Sequence, residues 1–320
     1  MKELISWLFR EPVGGVFLNF DRCILFILRI SYLIQRVALM AFLGRKKRDD
    51  LYSKGRFSYF KDYFSPSFSL SCFFFRILKF LKLGNFKLLK MTVPKYNYKV
   101  YCPANSDDYL NVTVREEDIL EHFSPKEGDV VVDIGAHIGR YALISSKRVG
   151  PRGKVVAIEA NPDNFDMLNQ NVKLNQLTNM LTLQYAVFSK ETKIKLYIAN
   201  EKLDPTIYNT ILSNRAPDKE KFVEVDANTL DNLLQQNGIN AEDINWVKID
   251  VEGAELEVLK GSTNVLSKSK DISLLIEVHN IADGTNHYRP IMDLLGHNNF
   301  KIEFEKTYPS GEKHVILRKQ

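Results

Sequence analysis

Residues 96–320 predict a doubly wound α/β fold, a mostly parallel sheet covered by helices on both faces and edged by a terminal antiparallel hairpin. Short continuous apolar runs recur along this part of the chain, amphipathic helical patterns separate most of them, and two strand-like runs flank a Pro-Ser-Gly turn near the carboxyl end. Continuous apolar strands need cover on both faces, which helical crossovers supply. In order, the strands are VVVDIG (130–135), KVVAIE (154–159), LTLQYAV (181–187), NWVKID (245–250) and ISLLIEV (272–278). Helices are predicted from Pro162 to Leu174 and from Ala254 to Leu266. FKIEFE (300–305) and KHVILRK (313–319), joined around Pro309-Ser310-Gly311, form the hairpin.

Composition is that of a globular protein with a full core, 45% hydrophobic and 26% charged. The net charge of +5 hides an asymmetry, because residues 1–100 hold 19 Lys and Arg against 6 Asp and Glu. The basic part therefore faces something anionic, a membrane surface or, with less support, nucleic acid. Cys23, Cys72 and Cys102 lie far apart, without a CxxC pair. That spacing offers neither a disulfide framework nor a zinc site, and points to a reducing, cytoplasmic compartment.

Residues 1–95 read as a helical, basic and aromatic region. Arg22, Arg29 and Arg36 recur every seven residues within an apolar stretch. A membrane span would bury Arg29 at a cost of about 2.5–3.5 kcal/mol, so a simple span is rejected. From residue 73 to 90, Arg76, Lys79, Lys82, Lys87 and Lys90 alternate with bulky apolar residues at near-helical spacing. Two readings stay open for residues 20–90: a helix lying on an anionic inner membrane surface, or a cap packed on the rest of the protein.

The densest chemical signal is VVVDIGAHIGRYAL (130–143), where a strand ends at Asp133, a turn passes Gly135, and Gly139 opens a helix. Small residues let a ligand approach the backbone, and a helix start offers free N–H groups. The spacing is D-x-G-x-x-x-G and lacks the third glycine of dinucleotide turns, which argues against a nicotinamide-dependent oxidoreductase. Glu159 ends the next strand, where a carboxylate accepts hydrogen bonds from ribose hydroxyls.

The succession VVVDIGAHIGRYA, GKVVAIEANPDNFDMLNQNVKLN, WVKIDVEGAELEVLKG and LLIEVH resembles the FkbM-type methyltransferases from about residue 110 to the carboxyl end. The resemblance implies a class I, Rossmann-like methyltransferase fold with S-adenosylmethionine as methyl donor. It further implies a hydroxyl acceptor on a saccharide, glycolipid or related metabolite. Asp133, Gly135, Ala136 and Gly139 would then line the methionine end and Glu159, with Ala160 beside it, the ribose. Ala186 and Val187 would lie by the adenine. Ala160 replaces a common proline and Tyr185 a small or amide residue, departures that touch the ribose turn and the adenine side. A non-catalytic protein that keeps the fold and the cofactor is the alternative from another class.

For the acceptor side, Asp250 closes the fourth strand, and Glu277 and His279 share a face at the end of the fifth. Methyl transfer needs an aligned acceptor oxygen and a group to take its proton, and His279 is the first candidate, with Asp250 or Glu277 orienting it. Asp250 and Glu252 provide part of a Mg²⁺ site, but no Asp-Asn pair follows to complete it, so no metal is expected. Glu116, Glu117, Asp118, Glu255 and Glu257 read as solvated or first-turn acids.

Overall fold

The computed structural model describes residues 88–103, 116–198, 210–212, 220–281 and 286–320. They belong to a compact unit spanning Lys87–Gln320. The expected basic region falls outside the described residues up to residue 87, and so does its proposed membrane contact. Leu88–Lys90, the last part of that stretch, is strand where helix was expected. Strand β1 (Leu88–Val93) pairs antiparallel with β2 (Tyr98–Pro103). The boundary expected at residue 96 thus falls inside a hairpin of this unit. Among the described residues no helix is long and apolar enough to cross a membrane.

After α1 (Glu117–His122), the chain alternates strand and helix. β3 (Val130–Ile134), α2 (Arg140–Val149), β4 (Lys154–Ile158), α3 (Pro162–Leu174) and β5 (Met180–Leu183) form the first half. The predicted strand 181–187 divides. Its end, β6 (Ala186–Val187), leaves for a three-stranded sheet with β7 (Thr192–Tyr197) and β8 (Phe222–Asn228). The second half follows with α4 (Leu230–Gln236), β9 (Ile244–Ile249), α5 (Glu255–Lys260), α6 (Thr263–Lys268) and β10 (Ser273–Val278). Last come α7 (Tyr288–His297), β11 (Phe300–Thr307) and β12 (Lys313–Lys319).

The main sheet has seven strands in the order β11-β12-β10-β9-β3-β4-β5. β5, β4, β3, β9 and β10 run parallel, and the terminal hairpin is antiparallel. This is the doubly wound, Rossmann-like arrangement expected from the sequence, edged by the antiparallel hairpin. Buried side chains fill both faces. Val132, Ile134, Ile158, Ile249 and Ile276 pack one way, while Val131, Val155, Ala157, Trp246 and Leu275 pack the other. This two-sided burial explains the unbroken apolar runs.

Local chemistry sets the helix ends. Asn161 caps α3, its side chain accepting from the N–H groups of Asp163 and Asn164, with Pro162 as the first helical residue. Further along α3, the Asn171 side chain accepts from Tyr101 N and donates to Tyr101 O, binding the amino-terminal hairpin to the sheet's helical layer. The helix predicted over 254–266 is broken between α5 and α6. A Cβ at Gly261 would stand 2.1 Å from the carbonyl oxygen of Phe188, so the backbones touch where the helix yields.

Candidate active site

Leaving β3, the chain builds β4 and β5 to one side and later returns to place β9 on the other. Ligands of open α/β sheets bind at the carboxyl ends of the strands beside such a reversal. Asp133, Glu159, Asp250 and the Glu277–His279 pair all come to this edge, on β3, β4, β9 and β10.

Around β3 the turn is tightly made. Gly135 has φ +74°, and a Cβ there would lie 1.8 Å from the carbonyl oxygen of Asp250. Gly135 and Ala136 both donate their N–H groups to Ile158 O, which ties the turn to β4. Glu159 closes the loop on the other side, Oε2 accepting from His137 N at 2.7 Å and Oε1 from Asn161 N at 2.9 Å. Gly139 caps α2. Ala160 and Ala186 meet in one apolar cluster with Phe188, and Val187 is buried in the main core. The residues expected at the methionine and ribose ends thus lie around one turn, whereas Ala186 and Val187 divide between two apolar clusters.

Asp133 is only 1% exposed. It is directly opposite Lys248 in the β3–β9 register, with Nζ 3.4 Å from Oδ1. Lys248 also donates to Gly135 O at 3.0 Å and to Asp250 Oδ2 at 3.2 Å. Burial by itself would depress Lys248, but Asp250 and Asp133 outweigh it and hold the ammonium charged. Burial raises the carboxyl of Asp133. Asp250 also feels burial, yet Lys248 and His279 keep it below the usual carboxylate range.

Asp250, Glu277 and His279, the residues expected on the acceptor side, lie together, and other residues join them. His279 Nδ1 is hydrogen-bonded to Glu255 Oε1 at 2.8 Å. Its Nε2 faces Glu252 Oε2 at 3.5 Å, Glu277 Oε1 at 3.6 Å and Asp250 Oδ1 at 3.8 Å. Burial opposes protonation of this ring, but Glu252, Glu277 and Glu255 prevail and raise it well above the ordinary histidine value. Glu277 Oε2 lies 3.2 Å from His314 Nε2. Tyr141 donates to Glu116 Oε2 at 2.8 Å.

Glu255 lies in the first turn of α5 as expected, and Glu116 at the cap of α1, but neither is simply a solvated acid. Glu255 is 0% exposed and also accepts from Gly253 N at 2.8 Å, while Glu116 shares its surroundings with Tyr141, Arg140 and His314. Glu257 does fit that expectation, pairing with Lys260 on α5 at 2.6 Å. Lys248 escaped notice although its two-residue spacing from Asp250 places both on one strand face. For His314, on the returning hairpin, nothing local signals the role.

Backbone strain gathers here too. Glu116, His137 and Glu252 have φ of 55°, 53° and 54°, a left-handed conformation costing ~1–3 kcal/mol at non-glycine residues. Thr210 Oγ1 holds the Glu252 turn by donating to its carbonyl at 2.8 Å. A cavity of about 530 Å³ adjoins Gly253 and Ala254, lined also by Phe188, Lys195, Tyr197, Ile211 and His287.

Residues 133–302 match the model of the methyltransferase FkbM domain. Among curated proteins, the hexuronic acid methyltransferase AglP of Haloferax volcanii is 29% identical over 207 residues, 64% of this chain and 77% of that protein. The 2-O-methyltransferase NoeI of Sinorhizobium fredii is 24% identical over 251 residues, 75% of this chain and 97% of its own length. Among solved structures, methyltransferase FkbM from Methylobacillus flagellatus aligns at 15% identity with a TM-score of 0.40, covering 65% of this chain and 52% of that one.

Proposed function

The chain belongs to the FkbM methyltransferase family, and on that footing we propose that it moves a methyl group from S-adenosylmethionine to a hydroxyl of a saccharide, glycolipid or related metabolite. One observation carries the reading. The turn at Gly135 and the carboxylate of Glu159 stand on the same sheet edge as Asp250, Glu277 and His279, so the proposed donor and acceptor groups lie at one end of the sheet. Two relatives support the acceptor class, being named as a hexuronic acid methyltransferase and a 2-O-methyltransferase.

The donor site fits its ligand on physical grounds. Gly135 and Ala136 offer a turn without bulk, and Gly139 the start of a helix. Glu159 keeps lone pairs free beyond the two N–H bonds it accepts, enough for ribose hydroxyls. Ala160, Ala186 and Val187 give the small apolar surface an adenine ring packs against. Asp133 acts from behind the turn, through Lys248. When bound, S-adenosylmethionine supplies a methyl group on a positively charged sulfur.

On the acceptor side, Asp250, Glu277 and His279 surround the hydroxyl and orient it. With the donor bound, they would hold that oxygen toward its methyl group, whose transfer would form a C–O bond and leave the C–S electron pair on sulfur. The hydroxyl proton passes to this cluster. A cavity of about 530 Å³ beside Gly253 takes the rest of the acceptor, a volume in the range of small-molecule sites.

The experiment is a label transfer. Protein incubated with methyl-labelled S-adenosylmethionine and a panel of uronic acids, oligosaccharides and glycolipids should place the label on a sugar oxygen. Label found only on nitrogen or carbon acceptors would refute the hydroxyl reading.

A further inference from the structure

We propose that Asp250, Glu252 and His279 form a site for a divalent cation that holds neighbouring oxygens of the acceptor. This deepens the hydroxyl-methyltransferase reading and rests on it for the cation's purpose, though not for its binding.

The donor atoms of these residues lie within 4.8 Å of one another. Nε2 of His279 is 3.5 Å from Glu252 Oε2 and 3.8 Å from Asp250 Oδ1. Ligands ~2.1 Å from a shared ion stand roughly 3.0–3.4 Å apart in octahedral or tetrahedral geometry, so a small inward movement closes the site.

An independent observation is the setting of the histidine. His279 is 5% exposed, and Nδ1 takes the ring's hydrogen bond among the described residues, to Glu255. Nε2 faces the carboxylate oxygens of Glu252, Glu277 and Asp250. A divalent cation among these oxygens would take the place of a proton on Nε2, with the ring still donating through Nδ1 to Glu255. The buried Glu255 also fits. Metal-binding histidines characteristically donate their other ring N–H to a carboxylate, which fixes the tautomer.

Charge points the same way. At this edge the carboxylates of Glu116, Asp133, Asp250, Glu252, Glu255 and Glu277 outnumber the permanent cations Lys248 and Arg140. The other His-carboxylate group, Glu116 with Glu277 and His314, is a weaker candidate, because Glu116 already accepts from Tyr141 and Glu277 is paired with His314.

Two carboxylates and one imidazole suit a first-row divalent ion such as Mn²⁺, with remaining positions open. Two adjacent acceptor oxygens would fill them, and binding to the ion would ease ionisation of the hydroxyl. The acceptor would thus be one with vicinal oxygens, as in a sugar diol or a uronic acid.

The full-length protein, freed of metal by chelator, would be titrated with Mn²⁺ and free ion followed by electron paramagnetic resonance. One ion per chain should bind, with affinity falling at least about 10-fold in both Glu252→Gln and His279→Gln. S-adenosylmethionine affinity, measured calorimetrically on the same preparations, should stay unchanged and so report an intact fold. Absence of Mn²⁺ binding up to millimolar concentration would overturn the site. Binding indifferent to both substitutions would overturn it too, placing the ion elsewhere. Mn²⁺ binding lost in both variants of a protein that never takes up the methyl donor would uphold the cation site while refuting the transferase reading.

Discussion

Lys248 and Asp133 are in register across the two central strands, with Nζ 3.4 Å from Oδ1, and the same ammonium reaches Asp250 and the carbonyl of Gly135. One buried cation thereby ties the turn at Gly135 to the carboxylate of Asp250. Removing one partner of a buried pair leaves the other charge without compensation, which costs about 3–5 kcal/mol. Lys248→Met should therefore lower the unfolding midpoint of the unit Lys87–Gln320 by roughly 6–20 °C. Combining it with Asp133→Asn should recover part of the loss, as scanning calorimetry would show. Equal midpoints for wild type and Lys248→Met would remove the lysine from this role.

Gly135→Ala tests the contact between β3 and β9. The added Cβ would fall 1.8 Å from Asp250 O at a φ of +74°. Backbone strain and displacement together should cost at least about 3 kcal/mol. Thermal unfolding measures the loss, and a drop of less than about 1 °C would mean that the turn relaxes freely.

Glu159→Gln keeps the size of the side chain and removes its charge. A hydrogen bond to a charged group contributes ~1.5–3 kcal/mol, so affinity for S-adenosylmethionine should fall about 10- to 100-fold by calorimetry. Because Glu159 also accepts from His137 N and Asn161 N, the variant's melting curve must be recorded alongside. Unchanged affinity would take Glu159 away from the ribose.

A pH-dependent tie joins α7 to the terminal hairpin. Tyr288 donates to Glu305, and Lys313 Nζ lies 2.6 Å from the same carboxylate. Partial burial and Glu305 push the Tyr288 hydroxyl up to about 12 from an ordinary value of 10.0. A raised group contributes stability that is complete below its unfolded value and lost as pH rises through the folded one. Glu305 moves the other way, held below 4.5 by Lys313 and Tyr288, so its contribution fades as pH falls through that lowered value. Wild type should thus melt above Tyr288→Phe from neutral pH to about pH 10. The gap should close towards pH 12. A constant gap across that range would exclude this ionisation.

Much of the sheet was legible because its strands are buried on both faces and read as unbroken apolar runs. α3 was legible from Pro162 to Leu174, and the cap that Asn161 gives it is local chemistry of the same kind. The split of 181–187 was not, because β6 leaves the main sheet to pair with β8, some forty residues later in the chain. The broken helix at Gly261 depends likewise on a distant carbonyl, that of Phe188. The donor-side residues follow one another closely and could be read as motifs. Glu255, Glu116 and His314 gain their roles only through contacts between separate elements. A carboxylate at a helix start looks the same in sequence whether water or His279 faces it.

The most direct measurement of the central claim is calorimetric titration of the purified protein with S-adenosylmethionine, with NADH in parallel. Saturable binding of the methyl donor at one site per chain, without binding of NADH, is the predicted result. Binding of NADH alone, or of neither compound, would contradict it.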